Sequence, residues 1–380
     1  MSAAPLALLL SLVTHPDTAT EDPIVAACRE LLVEYHRQSR FPGATAAVVL
    51  PDGKELTLAV GWASREEEIS MLPEHRLFSG SVGKTYVTAA LHHLREHSEL
   101  DFDQRAAEYF TGEEDAWFLR LPNAKSFTLH QLLRHESGLP RYVFRSEFWT
   151  EAMGNPDRVW KPEELLGFLL DERPLFSAGD GWAYSDTNYI VLGMILERVS
   201  GVSFYDYVER HFLAPLKLAD TLPSTSRSIP GVVQGYVVGA RGMGVPEHVL
   251  EDGVMVFNPQ FEWCGGGYVN TSLDLARWAR TLYRGEAFEG DYLDSMLDTV
   301  PADALGEGRH YGLGLIRSET ELGDLLGHDG FFPGYLTSMG YFPDLDIAVA
   351  IQMNTDNAPA LGRRVHEILV ELAQIARDLS

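Results

Sequence analysis

Apolar residues at Ile24, Val25, Cys28, Leu31, Leu32 and Tyr35 recur at intervals of three and four, which predicts an amphipathic helix over 24–37. Two β-prone runs follow, 44–50 and 55–60, separated by Pro51, Asp52 and Gly53. The Pro and Gly are turn formers, so the runs predict a hairpin. From 82 to 97 the apolar positions Val87, Leu91 and Leu94 return to helical spacing, and similar stretches punctuated by Pro and Gly dominate as far as Arg284. Strand patterns reappear at 311–316, 335–342 and 346–353, the last after a Pro343-Asp344 turn. A final helix is expected over 358–379.

This order predicts an α+β fold, an α/β sandwich whose antiparallel sheet of about five strands is assembled from both chain ends and flanked by the terminal helices. Residues 23–80 and 285–380 would form this discontinuous lobe, and 81–284 a mostly helical second lobe with the active site in the cleft between them. Residues 1–22 read as an N-terminal arm or a signal segment. The apolar run 6–13 is too short to span a bilayer, and no basic residue precedes it, which favours a cytoplasmic over a periplasmic or secreted location.

Charge narrows the function. The chain carries 30 Lys plus Arg against 55 Asp plus Glu, a net charge of -25 that repels nucleic acid and anionic membranes. The two cysteines, Cys28 and Cys264, lie far apart, and no Cys/His cluster has metal-site spacing. A globular enzyme is possible, polyanionic partners are not expected, and neither a disulfide framework nor structural zinc is indicated; the oligomeric state stays open.

Ser81-Val82-Gly83-Lys84 opens the helix predicted near 82, so Ser81 and Lys84 at i and i+3 share one face and their hydroxyl and amine can meet. A helix N-terminus also offers free N–H groups to a developing oxyanion. S-x-x-K alone is a weak signal, because an N-cap serine and a solvated lysine produce it too. Tyr184-Ser185-Asp186 ends a Gly/Asp-rich loop just before the apolar helical run 190–199. A nearby ammonium such as Lys84 would lower the phenol's pKa and make it a base; the plainer alternative is a core tyrosine and a capping aspartate. Gly327-His328-Asp329-Gly330 precedes Phe331-Phe332-Pro333-Gly334, and Gly330 permits close approach of backbone to a ligand.

Together these three elements resemble the serine hydrolases that include class C β-lactamases, D-alanyl-D-alanine carboxypeptidases and family-eight carboxylesterases. The segments 131–139 (QLLRHESGL), 265–271 (GGGYVNT) and 311–315 (YGLGL) look like landmarks of the same group, and the likeness runs from about residue 24 to the C-terminus. The resemblance implies a β-lactamase/transpeptidase-like fold in which Ser81 attacks a carbonyl, Lys84 and Tyr184 exchange its proton, and an acyl-enzyme forms and is hydrolysed. It implies a catalytic part for His328, an oxyanion held by the N–H groups of Ser81 and Phe331, and no need of a metal or cofactor.

Two departures bear on substrate. Asp186 stands where the lactamases carry asparagine, and it offers no amide donor when ionised. His328-Asp329-Gly330 stands in place of Lys-Thr-Gly, so a fixed cation for a substrate carboxylate is missing. A carboxylesterase acting on neutral esters is therefore expected. The alternatives are a D-amino-acid peptidase or amidase, a D-Ala carboxypeptidase-like enzyme, a weak β-lactamase, an acyltransferase, or a silent penicillin-binding-like sensor. The pocket wall is expected among Tyr142, Trp182 and Phe332.

Overall fold

The computed structural model describes residues 21–98 and 100–380, so the apolar run 6–13 lies outside the described residues. The first helix, α1, is Pro23–Ser39. Asp22 caps it, accepting from the Ile24 N–H at 2.9 Å, and Pro23 occupies a first-turn position where an N–H has no helical partner. Its buried side chains are Ile24, Val25, Cys28, Leu32 and Tyr35, the predicted stripe with Leu31 at its margin.

The central sheet comprises β1 (Gly43–Val49), β2 (Glu55–Ser64), β3 (Ile69–Ser70), β4 (Val300–Pro301), β5 (Arg309–Tyr311), β6 (Ile316–Thr320), β7 (Gly323–Phe332), β8 (Tyr335–Phe342) and β9 (Ile347–Met353). Their order is β3-β2-β1-β9-β8-β7-β6-β5-β4, with every pairing antiparallel. The two ends of the chain meet at β1 and β9, where Ala46 pairs with Ile351. Nine strands therefore stand where about five were expected, because β3, β4 and β5 are too short to show a period. β7 was hidden for another reason: Gly323, Gly327 and Gly330, with Asp324, His328 and Asp329, break its apolar pattern. The strand expected over 311–316 divides into the end of β5, a turn containing Gly314 at φ 71°, and the start of β6. The last helix begins late, at Val365, because Gly362 in the left-handed region ends a preceding 3-10 turn.

Four further long helices are α2 (Lys84–His97), α3 (Asp186–Ser200), α4 (Ser272–Tyr283) and α5 (Val365–Leu379). Every residue of β1 is buried, since alternate side chains enter two different cores. Ala44, Ala46 and Val48 face α1 and α5, while Ala47 and Val49 face the helical side, where α4 lies across β9, β1 and β8. A buried hydrogen bond between Thr45 Oγ1 and Ser272 Oγ, 2.7 Å, fixes α4 on that face. Beyond it α2 packs on α3, whose first eleven residues are buried all round. No helix of the described residues is long and apolar enough to cross a membrane.

Candidate active site

Gly80–Gly83 forms a 3-10 turn that runs straight into α2, so Ser81 sits on the turn and Lys84 is the first α-helical residue. The turn is gripped at backbone distance from two sides. A Cβ on Gly330 of β7 would collide with the Ser79 carbonyl oxygen, and one on Gly266 would collide with that of Gly80. No other residue type fits these two contacts, so the glycines fix where Ser81 stands relative to the sheet and to the 265–267 loop.

Lys84 is fully buried, and its ammonium spends all three donors: on Ser81 Oγ at 3.1 Å, Asp186 Oδ1 at 2.7 Å and the Gly265 carbonyl at 2.5 Å. Arg141 takes the other carboxylate oxygen, donating from Nε at 2.9 Å and Nη2 at 2.6 Å. Asp186 is thus the hub of a buried ion triad. It is the first residue of α3 rather than its cap, a position held by Ser185. Burial would raise the Asp186 carboxyl, but Arg141 and Lys84 outweigh it and hold the group well below the usual carboxylate range. Burial likewise favours a neutral Lys84, yet Asp186 and the nearby Tyr184 outweigh it, and the amine ends above its ordinary pKa.

Lys84 Nζ lies 5.0 Å from the Tyr184 ring centroid and the Arg141 guanidinium 5.4 Å from it. Its hydroxyl is buried and makes no hydrogen bond among the described residues. The expected lowering of the Tyr184 pKa does not hold. Burial raises it by more than Lys84 pulls it down, so the phenol is neutral in the resting site. The loop is held by His135, whose Nδ1 accepts from the Ser185 N–H at 3.2 Å and from Asn188 Nδ2 at 3.0 Å. Ser185 and Thr187 hydroxyls both donate to the Pro140 carbonyl, at 3.2 and 2.7 Å. The landmark 131–139 is therefore a strut that places Tyr184 and Asp186.

The third motif lies within β7, not ahead of a strand. His328 is buried, with Nδ1 at 2.6 Å from the Asp329 carbonyl and Nε2 at 3.1 Å from the Tyr311 hydroxyl. Burial, aided by the charge of Lys84, lowers its pKa to about 4, so the ring is neutral at pH 7. It makes no hydrogen bond to Ser81, Lys84 or Tyr184 among the described residues. Asp329 is bound to Arg309 at 2.6 Å and Ser338 at 2.7 Å. Phe332 pairs with Tyr335 across a two-residue turn, so alternation along the ladder turns the Phe331 N–H and C=O away from β8, toward the edge where Gly80 docks. Of the wall candidates, Tyr142 and Phe332 are core, the latter stacked on Phe78 at 4.1 Å; Trp182 is half-buried beside Tyr311 and His135. The exposed aromatic rings nearby are Phe331 and Phe144, the second lying under Arg141 at 4.2 Å.

Sequence reasoning missed Arg141 and Glu262, and it included His135 in the 131–139 landmark without giving it a role. Arg141 follows the 131–139 landmark by two residues, and Glu262 precedes the glycine triplet by three, so proximity to those landmarks was the one available signal.

A family model described as Beta-lactamase matches residues 28–373. The chain belongs to the β-lactamase family. Within the wider group, it is 25% identical over 289 residues to a penicillin-binding protein of Bacillus subtilis (strain 168), covering 73% of this chain and 60% of that one. It is also 25% identical over 320 residues to a D-aminopeptidase of Brucella canis, covering 82% of this chain and 56% of the relative. The chain thus spans little more than half the length of these two curated relatives. The crystal structure of a D-amino acid amidase from Ochrobactrum anthropi SV3 superposes with a TM-score of 0.79 at 24% identity, over 94% of this chain and 99% of the amidase. That likeness bears out the β-lactamase/transpeptidase-like fold.

Proposed function

We propose that this β-lactamase family member is a serine acyl hydrolase that cleaves esters and amides without a negative charge through a covalent intermediate on Ser81. The observation that carries this reading is the 3.1 Å contact from the buried Lys84 ammonium to Ser81 Oγ, with Asp186 and Gly265 fixing the remaining Lys84 donors. Because Lys84 and Tyr184 both hold their protons at rest, the competent form is the one that has lost a proton from this pair. The pair then takes the Ser81 hydroxyl proton as Oγ bonds to the carbonyl carbon. The oxyanion accepts from the N–H groups of Ser81 and Phe331. Collapse expels the leaving group, which receives the proton from the pair, and water repeats the sequence to release the acid. His328 and Gly330 act as positioning residues, the first through Tyr311 and the second by letting β7 approach the Ser81 turn.

The two cations that meet at Asp186, Lys84 and Arg141, are both engaged by it, so an anionic β-lactam gains little there. This supports esterase action on substrates that carry no negative charge, the neutral esters among them. Amide cleavage has its own support in the neutral Tyr184 phenol, which can protonate an amine leaving group, and in the D-aminopeptidase and D-amino acid amidase relatives. A fluorophosphonate probe should label Ser81, and a silent sensor would stay unlabelled. In a panel of p-nitrophenyl esters, D-amino-acid p-nitroanilides and nitrocefin, turnover of nitrocefin matching the best ester or anilide would sink the proposed selectivity.

The raised proton affinities of Lys84 and Tyr184 set the pH dependence. For p-nitrophenyl butyrate, kcat/KM should climb through neutrality and level off only in the alkaline range; a profile already flat at pH 6 would exclude this pair as the base. Gly330→Ala should lower kcat/KM by about a hundredfold, because the new methyl group forces β7 away from the Ser81 turn. Normal kinetics in that variant would remove Gly330 from the positioning scheme.

A further inference from the structure

Glu262 belongs to the 3-10 segment Pro259–Gly265, the same segment that presents the Gly265 carbonyl to Lys84. Its Oε2 lies against Gly266, at a point 2.7 Å from where a Cβ on that glycine would stand, and the Gly80 carbonyl borders the same point. Gly80 immediately precedes Ser81. The carboxylate and the Ser81 turn therefore pack against the same glycine, whose missing side chain lets them come this close.

Among the described residues Glu262 makes no hydrogen bond and no ion pair, whereas both oxygens of Asp186 are engaged. This half-buried carboxylate, set beside the Ser81 turn, is thus free to take its partner from a bound ligand. The charged and titratable groups around it are Asp186 on α3, Lys84 on α2, Arg141 and Tyr142 after the 131–139 strut, and Tyr205. The two cations among them are already paired with Asp186. Burial and then the Asp186 charge raise the Glu262 carboxyl to about 7 against the pull of Lys84 and Arg141. A cation arriving from the substrate would favour its ionised form, so binding and ionisation reinforce one another.

We infer that Glu262 holds a positively charged amino group on the acyl portion of the substrate, which assigns the site to amine-bearing acyl donors such as amino-acid amides and esters. An α-amino nitrogen is two bonds from the carbonyl carbon that Ser81 attacks, so its anchor has to stand beside the Ser81 turn, as this carboxylate does. The inference rests on the reading of Ser81 as the nucleophile and adds the class of substrate.

The test compares kcat/KM for phenylalanine methyl ester and N-acetylphenylalanine methyl ester, each as D and L enantiomers, in the full chain and in Glu262→Gln and Glu262→Asp. Wild type should prefer the free amine of at least one enantiomer. The preference should fall by about tenfold or more in Glu262→Gln, mostly through KM, and be partly kept in Glu262→Asp, which retains the charge. A preference within twofold of wild type in Glu262→Gln, or a wild type that favours the acetylated ester, would overturn the inference while leaving Ser81 chemistry intact. Failure of the parent reading looks different: neither ester is cleaved and a fluorophosphonate leaves Ser81 unlabelled, which removes the substrate assignment with it.

Discussion

Ser81→Ala should abolish turnover, lowering kcat/KM by about four decades or more, while the protein keeps its fold. The loss is large because the nucleophile has no substitute; the stability change is small because Lys84 keeps two of its three acceptors, Asp186 and the Gly265 carbonyl. One weak hydrogen bond is lost, worth about 1 kcal/mol. Esterase and anilidase assays paired with a thermal melt check both halves, and near wild-type hydrolysis by the variant would end the assignment of Ser81. Lys84→Ala and Tyr184→Phe should each cost several decades without adding in the double variant, since the two residues share one proton. Additive losses would mean separate roles.

Asp186→Asn should destabilise the protein by about 3–5 kcal/mol, read as a lowered denaturant midpoint at unchanged slope. The reason lies in the triad. Neutralising the carboxylate leaves Lys84, fully buried, and Arg141, largely so, without their shared counter-charge. A residue that served only to cap α3 would predict almost no change, because asparagine caps as well as aspartate. The pH dependence of the gap follows from the depressed Asp186 pKa. Its contribution is present above the ordinary carboxylate range of the unfolded chain and is lost as pH falls through the lower folded value, so the gap should persist across neutrality and close only in strong acid. The same substitution removes the main support for a protonated Lys84, so the acid limb of the rate profile should move to lower pH. An unchanged midpoint together with an unchanged limb would return Asp186 to a passive place at the start of α3.

Much of the architecture was legible because it is local. The stripe on α1 and the hairpin of β1 and β2 follow from repeats within a dozen residues, and β8 and β9 were placed almost to the residue. Ser81 and Lys84 meet as expected, since helical geometry brings i and i+3 together whatever surrounds them. The strand carrying His328 was not legible: its glycines serve a close approach to another segment, and the sequence shows only that the apolar pattern is broken.

The sequence by itself determined the order of elements, the spacing of the three motifs and the family those motifs resemble, because each depends on residues near one another along the chain. Only the tertiary structure decided the charge state of the site. Asp186 meets Lys84 across 102 positions and Arg141 across 45, and Gly265 reaches Lys84 across 181. Those encounters, with the burial they impose, keep Tyr184 and Lys84 protonated and leave Glu262 without a partner. Burial and Coulomb forces act through space, and no short-range pattern in the chain encodes which distant charges will share one cleft.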